Sequence, residues 1–372
     1  MERIELIFGR DWVKKRLNKW RWTMSTAFTG VGCAEIAALS LQAAARRFAP
    51  ESGASVHITS ACEIDKSCQK VLLDTFDSDQ CIFPDITKID MNKGKSYCVR
   101  HQCMCELQPE PHEDCMQVSV GGPVCVHYSP MGNREKEGGA QHVTHKSYYR
   151  EIKKSKTKIC VVENVPEYTE EVVQKELGGE WMIESARVDP RIFGLPCCRT
   201  RVFMICYKWR EVRWVAPFTL SSFLGCLRQR VVMTAANYFY KSLPKSILSA
   251  SAAANLKCYN EEKSFGFPDL NQLCKNGRAR GETKDKCLQT LTTNSGRIYS
   301  QGHGRYIEPE EALSSHVLPM TDKHAKICKA PKVQMGEVSR TAKTRMAGNA
   351  MNVPCIGAVL LAAVLGLDDI AP

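Results

Sequence analysis

Residues 118–132 read Val-Ser-Val-Gly-Gly-Pro-Val-Cys-Val-His-Tyr-Ser-Pro-Met-Gly. The alternating valines at the start of this stretch are typical of a short buried strand, and Gly121-Gly-Pro123 predicts that the strand ends in a loop with little side-chain bulk. Cys125 lies in that loop. Ligands of open α/β sheets bind at the carboxyl ends of the strands, so a thiolate there would meet a substrate. Since the chain has 19 cysteines, a small buried apolar residue is the alternative interpretation.

The length and net charge of the chain restrict its possible domain number and partners. A chain of 372 residues is expected to form about two domains. Its 51 Lys and Arg against 40 Asp and Glu give a net charge of +11, which favours a polyanionic partner, with solvated lysines as the alternative. No apolar run looks long enough to span a membrane, and the N-terminus lacks the layout of a signal peptide. We therefore expect an intracellular protein with reduced thiols and no membrane partner.

A glycine turn between a strand and a helix suggests a cofactor site. Gly30 and Gly32 precede a helix of good composition, and their small size allows a ligand to approach the backbone at the helix N-terminus. The next strand ends at Glu63, which is placed to accept hydrogen bonds from ribose hydroxyls or, alternatively, to complement a helix dipole. Asp85 follows a third strand and can accept from an exocyclic amine, although a turn residue is the plainer interpretation.

The segment after the third strand is rich in potential metal ligands. They are Cys98, His101, Cys103, Cys105, His112 and Cys115. Thiolates and imidazoles are the ligands of tetrahedral zinc, so this segment is a candidate zinc site. The spacing matches no zinc module well, and a reduced, cysteine-rich surface excursion is the alternative.

Charged residues at two further strand ends complete the candidates. Glu163 ends the apolar strand that starts at Ile159, where a carboxylate is costly unless it is exposed or paired. Arg199 and Arg201 alternate at the entrance of another apolar strand, so both are predicted to project from one face towards the site. A surface salt-bridge pair is the alternative.

Taken together, these segments resemble the motifs of the cytosine-5 DNA methyltransferases, in order and in spacing. The matching segments are Phe28-Thr-Gly-Val-Gly-Cys33, Glu63, Asp85-Ile-Thr87, Gly121-Gly-Pro-Val-Cys125, Glu163-Asn-Val165, Cys197-Cys-Arg-Thr-Arg201 and Gly348-Asn-Ala-Met-Asn-Val-Pro354. The resemblance covers nearly the whole chain, and an ordered set of motifs is far more specific than any one of them.

The resemblance implies an α/β fold with a doubly wound, mostly parallel sheet, that is, a Rossmann-like methyltransferase fold, and a smaller inserted target-recognition domain. The expected boundaries are 23–208 for the catalytic and cofactor-binding domain, 209–300 for target recognition, and 301–372 for the return to the catalytic domain. The implied cofactor is S-adenosylmethionine and the implied partner is double-stranded DNA. The location would be the nucleus in a eukaryote and the cytoplasm otherwise.

The resemblance also implies a role for each matching residue. Cys125 would be the nucleophile, Glu163 would bind the target base at N3, and Arg201, with Arg199 less directly, would position the base and the catalytic loop. The implied cofactor-binding positions are Phe28, Gly30 and Gly32 at the methionine end, Glu63 and Ile64 at the ribose side, Asp85 and Ile86 at the adenine, and Asn349 in the last motif.

Several positions depart from the family pattern. Val124 stands in place of a usual proline, Val126 and Cys197 in place of glutamines, Cys33 in place of a glycine and Ala350 in place of a serine. The nucleophile, the acid and the arginines remain, so activity is predicted. Methylation of cytosine in transfer RNA is one alternative, although the Cys-Phe-Thr signature of that group is absent. A catalytically silent nucleic-acid-binding homologue is another.

Overall fold

The structure is a computed structural model that describes residues 1–77, 79–107, 115–124, 142–262, 266–272, 287–293 and 297–370. Cys125, His112 and the other residues between these ranges lie outside the description. The strands are β1 (Arg21–Ala27), β2 (Ser55–Cys62), β3 (Cys81–Phe83), β4 (Lys95–Cys98), β5 (Cys103–Glu106), β6 (Met116–Gly121), β7 (Ile159–Asn164), β8 (Trp181–Val188), β9 (Arg201–Lys208), β10 (Val212–Trp214), β11 (Tyr299–Ser300), β12 (Arg305–Tyr306) and β13 (Leu367–Asp369).

The helices pack around the central sheet and against one another. They are α1 (Glu2–Phe8), α2 (Arg10–Asn18), α3 (Cys33–Phe48), α4 (Lys66–Thr75), α5 (His142–Lys154), α6 (Glu170–Leu177), α7 (Leu220–Cys226), α8 (Ala250–Glu262), α9 (Pro309–Ser314), α10 (Asp322–Cys328), α11 (Arg340–Asn349) and α12 (Val353–Gly366). Gly9 at φ 82° separates α1 from α2, and Trp22 already belongs to β1.

Seven strands form the central sheet in the order β3-β2-β1-β6-β7-β9-β8. The first five are parallel, and β9 is antiparallel to both of its neighbours. Every residue of β6 and β7 is buried, as expected where helices cover both faces of a parallel sheet. The predicted doubly wound, mostly parallel sheet is confirmed.

The chain runs outward from β1 to β3 and then returns to the other side of β1 to form β6. This reversal of strand order opens a crevice at the carboxyl ends of β1 and β6, which is where open α/β sheets bind their ligands. The sheet topology therefore places the glycine turn after β1 and the loop after β6 next to each other.

The C-terminal helix α12 belongs to the core. Arg340–Gly366 is the one described helical stretch that is long and apolar enough to cross a membrane, and 72% of its most apolar window is buried inside the protein. The amino-acid pattern had predicted no apolar run of that length. Because α12 packs against α3 and most of its residues are fully enclosed, we interpret it as a buried core helix.

Residues beyond β9 build smaller units around the sheet. β10 pairs with β13, and β11 pairs with β12. A separate apolar cluster contains Ala252, Tyr259, Leu270 and Tyr299. The guanidinium of Arg305 forms two 2.8 Å hydrogen bonds with the Glu311 carboxylate, and both side chains are buried. This fork ties the β11–β12 hairpin to α9.

Candidate active site

The turn after β1 has a backbone that favours glycine. Phe28, Gly30 and Gly32 have φ angles of 55°, 60° and 85°, which is the left-handed region. A Cβ on Gly32 would lie 2.4 Å from Cε2 of Phe76, so any side chain there would clash with this ring. The tight turn brings backbone N–H groups to the start of α3.

One N–H group of this turn and one from the segment after β2 contact the acid at the end of β2. Gly30 N donates to Glu63 Oε2 at 2.7 Å, and Asp65 N donates to Glu63 Oε1 at 2.8 Å. Burial raises the pKa of Glu63, although these backbone hydrogen bonds favour its charged form. An ionised carboxylate has about four acceptor positions, so acceptor capacity remains after these backbone hydrogen bonds. Glu63 both holds the glycine turn and keeps the capacity to bind a ligand.

The side chains next to Glu63 differ in what they are free to contact. Ile64 is 71% exposed, which leaves a large apolar side chain uncovered at the crevice. Asp85 Oδ1 accepts from the backbone and the hydroxyl of Thr87 and caps a short helical turn at Ile86–Lys88. The turn interpretation of Asp85 therefore holds in the structure, and its second oxygen lies 3.8 Å from Lys88 Nζ. Ile86 is buried.

The backbone that leads into Cys125 is held from two sides. Asn164 Nδ2 donates to Pro123 O at 2.9 Å, and His145 Nε2 donates to Val124 O at 2.7 Å. A Cβ on Gly121 would lie 2.6 Å from the Tyr148 hydroxyl. Strand β7 and helix α5 thus position the last described residue before Cys125.

Glu163 lies beside this backbone. Its side chain is 11% exposed, and Arg201 Nε lies 3.2 Å from its Oε1. The pair lacks hydrogen-bond alignment, and within the described ranges Oε1 has no hydrogen-bond partner. A Cβ on Gly122 would lie 3.3 Å from Oε2, so only a glycine leaves Glu163 this much room. A buried carboxylate oxygen without a hydrogen bond is uncommon and suits a group that meets a substrate.

The two predicted arginines point to different partners. Arg201 faces Glu163, whereas Arg199 is buried and donates through Nη1 to the carbonyl oxygens of Leu291 and Gly348. A Cβ on Gly348 would lie 2.3 Å from the backbone of Thr292. Arg199 therefore holds together two crossing backbone segments, and a role of both arginines in positioning the base stays a prediction.

The two asparagines of the last motif, Asn349 and Asn352, differ in their exposure to solvent. Asn349 ends α11 with its side chain exposed. Asn352 is buried, and its Oδ1 accepts from Cys355 N to cap α12. Sequence reasoning chose Asn349 and missed Asn352, whose position directly before the apolar helix was a usable capping signal.

Buried thiols near Glu163 are poor candidates for the nucleophile. Burial raises the pKa of Cys33 and of Cys197 to about 12 each, so neither supplies appreciable thiolate at neutral pH. Burial also raises the pKa of Cys355 well above its usual value. The substitutions at positions 33 and 197 therefore place inert apolar thiols around the site.

Three of the predicted metal ligands come together with a residue that sequence reasoning missed. Cys98, His101 and Cys105 form a group with Cys81, and their ligand atoms all lie within 4.8 Å of one another. Cys103 and Cys115 do not belong to this group, and His112 lies outside the described residues. Cys81 is 17 positions from Cys98, so no local spacing pattern connects the two.

Comparison with known proteins identifies the family. The sequence model of the C-5 cytosine-specific DNA methylases matches residues 28–363, and the chain belongs to that family. Its members use S-adenosylmethionine as the methyl donor. No curated protein gave a significant match.

Solved structures share the fold at low sequence identity. A methyltransferase of Entamoeba histolytica, EhMeth, has a TM-score of 0.61 and 14% identity, with 93% of this chain and 98% of that chain covered. The Dnmt2 methyltransferase of S. pombe has a TM-score of 0.58 and 11% identity, covering 93% and 98%. A candidate DNA modification methyltransferase of an E. coli prophage has a TM-score of 0.57 and 16% identity, covering 91% and 97%.

Proposed function

We propose that this protein transfers a methyl group from S-adenosylmethionine to C5 of cytosine in double-stranded DNA, through a covalent bond between Cys125 and C6 of the target base. Membership of the C-5 cytosine family supports the reaction class. The observation that carries the proposal is the buried Glu163 carboxylate, with one oxygen lacking a hydrogen bond among the described residues, beside the backbone that leads to Cys125.

The proposed chemistry follows from the weakness of cytosine C5 as a nucleophile. The Cys125 thiolate adds to C6, and Glu163 in its protonated form donates to N3, which stabilises the electron density pushed onto C5. Arg201, 3.2 Å from Glu163 Oε1, holds the acid in position. The nucleophilic C5 takes the methyl group and S-adenosylhomocysteine leaves. Water then takes the C5 proton, N3 returns its proton to Glu163, and Cys125 is eliminated as the thiolate to restore the ring.

The cofactor site fits the methyl donor. When bound, S-adenosylmethionine supplies an electrophilic methyl group on its sulfonium sulfur. Glu63 has acceptor capacity left for ribose hydroxyls after its two backbone hydrogen bonds. Ile64 offers an exposed apolar face beside it, and the left-handed turn at Gly30 and Gly32 lets a ligand lie against the backbone.

The target base has to leave the base stack of the nucleic-acid duplex. A side chain cannot reach C6 of a stacked cytosine, so the base is flipped out or presented in a single strand. The net charge of +11 favours binding to the phosphate backbone in either case. Cytosine in transfer RNA is the alternative substrate, and it is tested together with DNA.

Trapping on 5-fluorocytosine tests the proposal. Fluorine at C5 blocks the final loss of a proton, so we expect the wild-type protein with S-adenosylmethionine to remain covalently attached to a DNA duplex through denaturing electrophoresis. Cys125→Ser should form no adduct. Cys226→Ser, a half-buried cysteine on α7, is the matched control and should trap normally.

The negative outcomes separate the alternatives. An adduct on transfer RNA but not on varied DNA duplexes would move the substrate to RNA. An adduct that persists in Cys125→Ser would assign the nucleophile elsewhere. Cofactor binding without any adduct on either nucleic acid would identify a catalytically silent homologue and overturn the proposal.

A further inference from the structure

We propose that Cys81, Cys98, His101 and Cys105 bind one structural Zn²⁺ ion, which fastens the β4–β5 hairpin to the edge strand β3. Neither the methyl-transfer proposal nor the family match assigns this site. Cys81 begins β3, Cys98 ends β4, His101 lies in the connecting turn and Cys105 lies in β5.

The distances are those of a tetrahedral site. His101 Nδ1 lies 3.6 Å from Cys81 Sγ and 3.4 Å from both Cys98 Sγ and Cys105 Sγ. A tetrahedral zinc ion with Zn–S bonds of about 2.3 Å and a Zn–N bond of about 2.0–2.1 Å separates its sulfur and nitrogen ligands by about 3.5 Å. All three sulfurs approach the same ring nitrogen at this separation, so one ion at their centre can reach all four ligands.

Backbone hydrogen bonds prepare Cys98 to act as a thiolate ligand. Ile82 N donates to Cys98 Sγ at 3.2 Å, and the backbone N–H groups of Arg100 and His101 are also directed at this sulfur. Hydrogen bonds of this kind support the charge on a metal-bound sulfur and fix its orientation. The Ile82 N–H group comes from β3, and those of Arg100 and His101 come from the turn after β4, in which Gln102 has a φ of 54°.

The hairpin needs such a fastening because it has little core of its own. Between residues 95 and 107 only Cys98 and Leu107 are buried, and each strand has four residues. An isolated two-stranded hairpin is marginally stable in water, and small units with little apolar burial commonly depend on a metal. A zinc ion would supply the missing stabilisation.

The hairpin in turn protects the edge of the central sheet. Val99 N donates to Ile82 O at 2.8 Å, and Ile82 N donates to Cys98 Sγ. Both backbone groups of Ile82 on the open side of β3 are therefore satisfied, which blunts an edge that would otherwise pair with another chain. Four protein ligands leave no open coordination position, so the ion is structural rather than catalytic.

Metal content and cobalt substitution test the site in the full chain. We expect protein made in zinc-supplemented medium to contain about one zinc per chain by plasma mass spectrometry, and Cys81→Ser and Cys105→Ser to lose most of it. Cys103→Ser is the matched control, because Cys103 lies in the same hairpin, is exposed, and stands outside the group of four. It should keep the zinc.

The absorption spectrum of bound Co²⁺ reports the coordination geometry of the site, and this measurement does not depend on methyl transfer. Titration of metal-free wild-type protein with Co²⁺ should give sulfur-to-metal charge-transfer bands and intense visible bands of a tetrahedral ion. Chelation should speed amide exchange at Val99 and Leu107 while the β6 and β7 amides remain protected, which shows that the rest of the fold persists.

Clear results overturn the proposal. Wild-type protein that contains no zinc and gives no tetrahedral cobalt spectrum would leave the group as a set of reduced thiols around a histidine. If Cys103→Ser lost zinc and Cys81→Ser kept it, Cys103 would be a ligand and Cys81 would not, and the proposed set of four would be wrong. Either result leaves the 5-fluorocytosine experiment unaffected, so the two proposals fail separately.

Discussion

Glu63 and Glu163 both lie at the carboxyl ends of parallel strands in one sheet, yet their surroundings differ. Both oxygens of Glu63 accept backbone N–H groups, from Gly30 and Asp65. Glu163 has an ion pair with Arg201, but its Oε1 lacks a hydrogen-bond partner among the described residues. Backbone N–H groups of the protein thus satisfy both oxygens of Glu63, whereas Glu163 Oε1 has no hydrogen bond among the described residues.

The difference separates two kinds of site. An unsatisfied buried polar atom costs about 1–3 kcal/mol, so such an atom beside the backbone that leads to Cys125 is a candidate contact for a ligand. Glu63 holds the glycine turn through its backbone hydrogen bonds. In the proposed reaction, Glu63 would contact the cofactor and the open oxygen of Glu163 would contact the base. The proposed cofactor side would then be prearranged, whereas the proposed substrate side would gain its contacts when the base binds.

The largest expected effect is on Glu163. A glutamine has the same shape and donates a hydrogen bond but cannot transfer a proton, so Glu163→Gln should slow methyl transfer by about 10²- to 10⁴-fold. Its affinity for S-adenosylmethionine should stay within about twofold, because Glu63 and the glycine turn are untouched. Single-turnover rates and isothermal titration measure the two quantities.

Glu180→Gln is the control for this prediction, because Glu180 is an exposed glutamate, and it should methylate normally. A Glu163→Gln protein as active as the wild type would remove the distinction between the two acids.

A third acid, Glu35 on α3, extends the comparison, because the free energy of unfolding should depend on pH through its side chain. It is fully buried and accepts from Thr26 Oγ1 at 2.5 Å, while its Oε2 has no hydrogen-bond partner among the described residues. Burial raises the pKa of Glu35 to about 7, against about 4.3 in an unfolded chain. The folded state therefore binds the proton more tightly, and the resulting stability is complete below about pH 4.3 and is lost as the pH rises through about 7.

The measurement is the free energy of unfolding by urea for wild type and Glu35→Gln at pH 5 and pH 8. Relative to Glu35→Gln, the wild type should lose on the order of 2–3 kcal/mol between these values. The glutamine variant cancels the contribution of the other titrating groups. A difference that does not change with pH would mean that Glu35 is ionised throughout, with a partner comparable to those of Glu63.

The smallest expected effect is on Glu63 itself. Glu63→Gln replaces one acceptor oxygen by a donor, which faces either Gly30 N or Asp65 N and leaves that N–H unsatisfied. We expect a loss of about 1–3 kcal/mol in the free energy of unfolding and about tenfold weaker binding of S-adenosylmethionine. Thermal unfolding and isothermal titration provide the measurements.

The methyl-transfer step measured at saturating cofactor should change by less than about threefold, in contrast to Glu163→Gln. A catalytic defect as large as that of Glu163→Gln would place both acids in the reacting group and contradict the division between the two sides.

Much of the catalytic half of the fold was predictable. The apolar runs that became β6 and β7 are continuous and end at glycine or at a polar pair, and the helix-forming composition after Gly32 marked α3. The β4–β5 hairpin was missed as a regular element. Its turn contains Arg100, His101 and Gln102 rather than glycine or asparagine, so the usual turn signal is absent even though Gln102 adopts a left-handed backbone.

The candidate site was predictable in its chemistry but less so in its contacts. The strand-end positions of Glu63 and Glu163 follow from local patterns. The partners of Arg199 do not follow from local patterns. They are the carbonyl oxygens of Leu291 and Gly348, about 90 and 150 residues away, and every residue of any sequence carries such a carbonyl group. Asn164 adjoined a predicted site residue and was a reasonable candidate, whereas nothing local identified His145.

The amino-acid sequence by itself determined which residue types end each strand, the order of those strands and hence the family and its chemistry. Only the tertiary structure decided which atoms meet. It joined Cys81 to the β4–β5 hairpin, gave Arg199 and Arg201 different partners, and left Glu163 Oε1 without a hydrogen bond among the described residues, whereas both oxygens of Glu63 accept one. The reason is physical: strand and helix periodicities depend on neighbours within a few residues, whereas sheet register and burial bring together groups far apart in the chain.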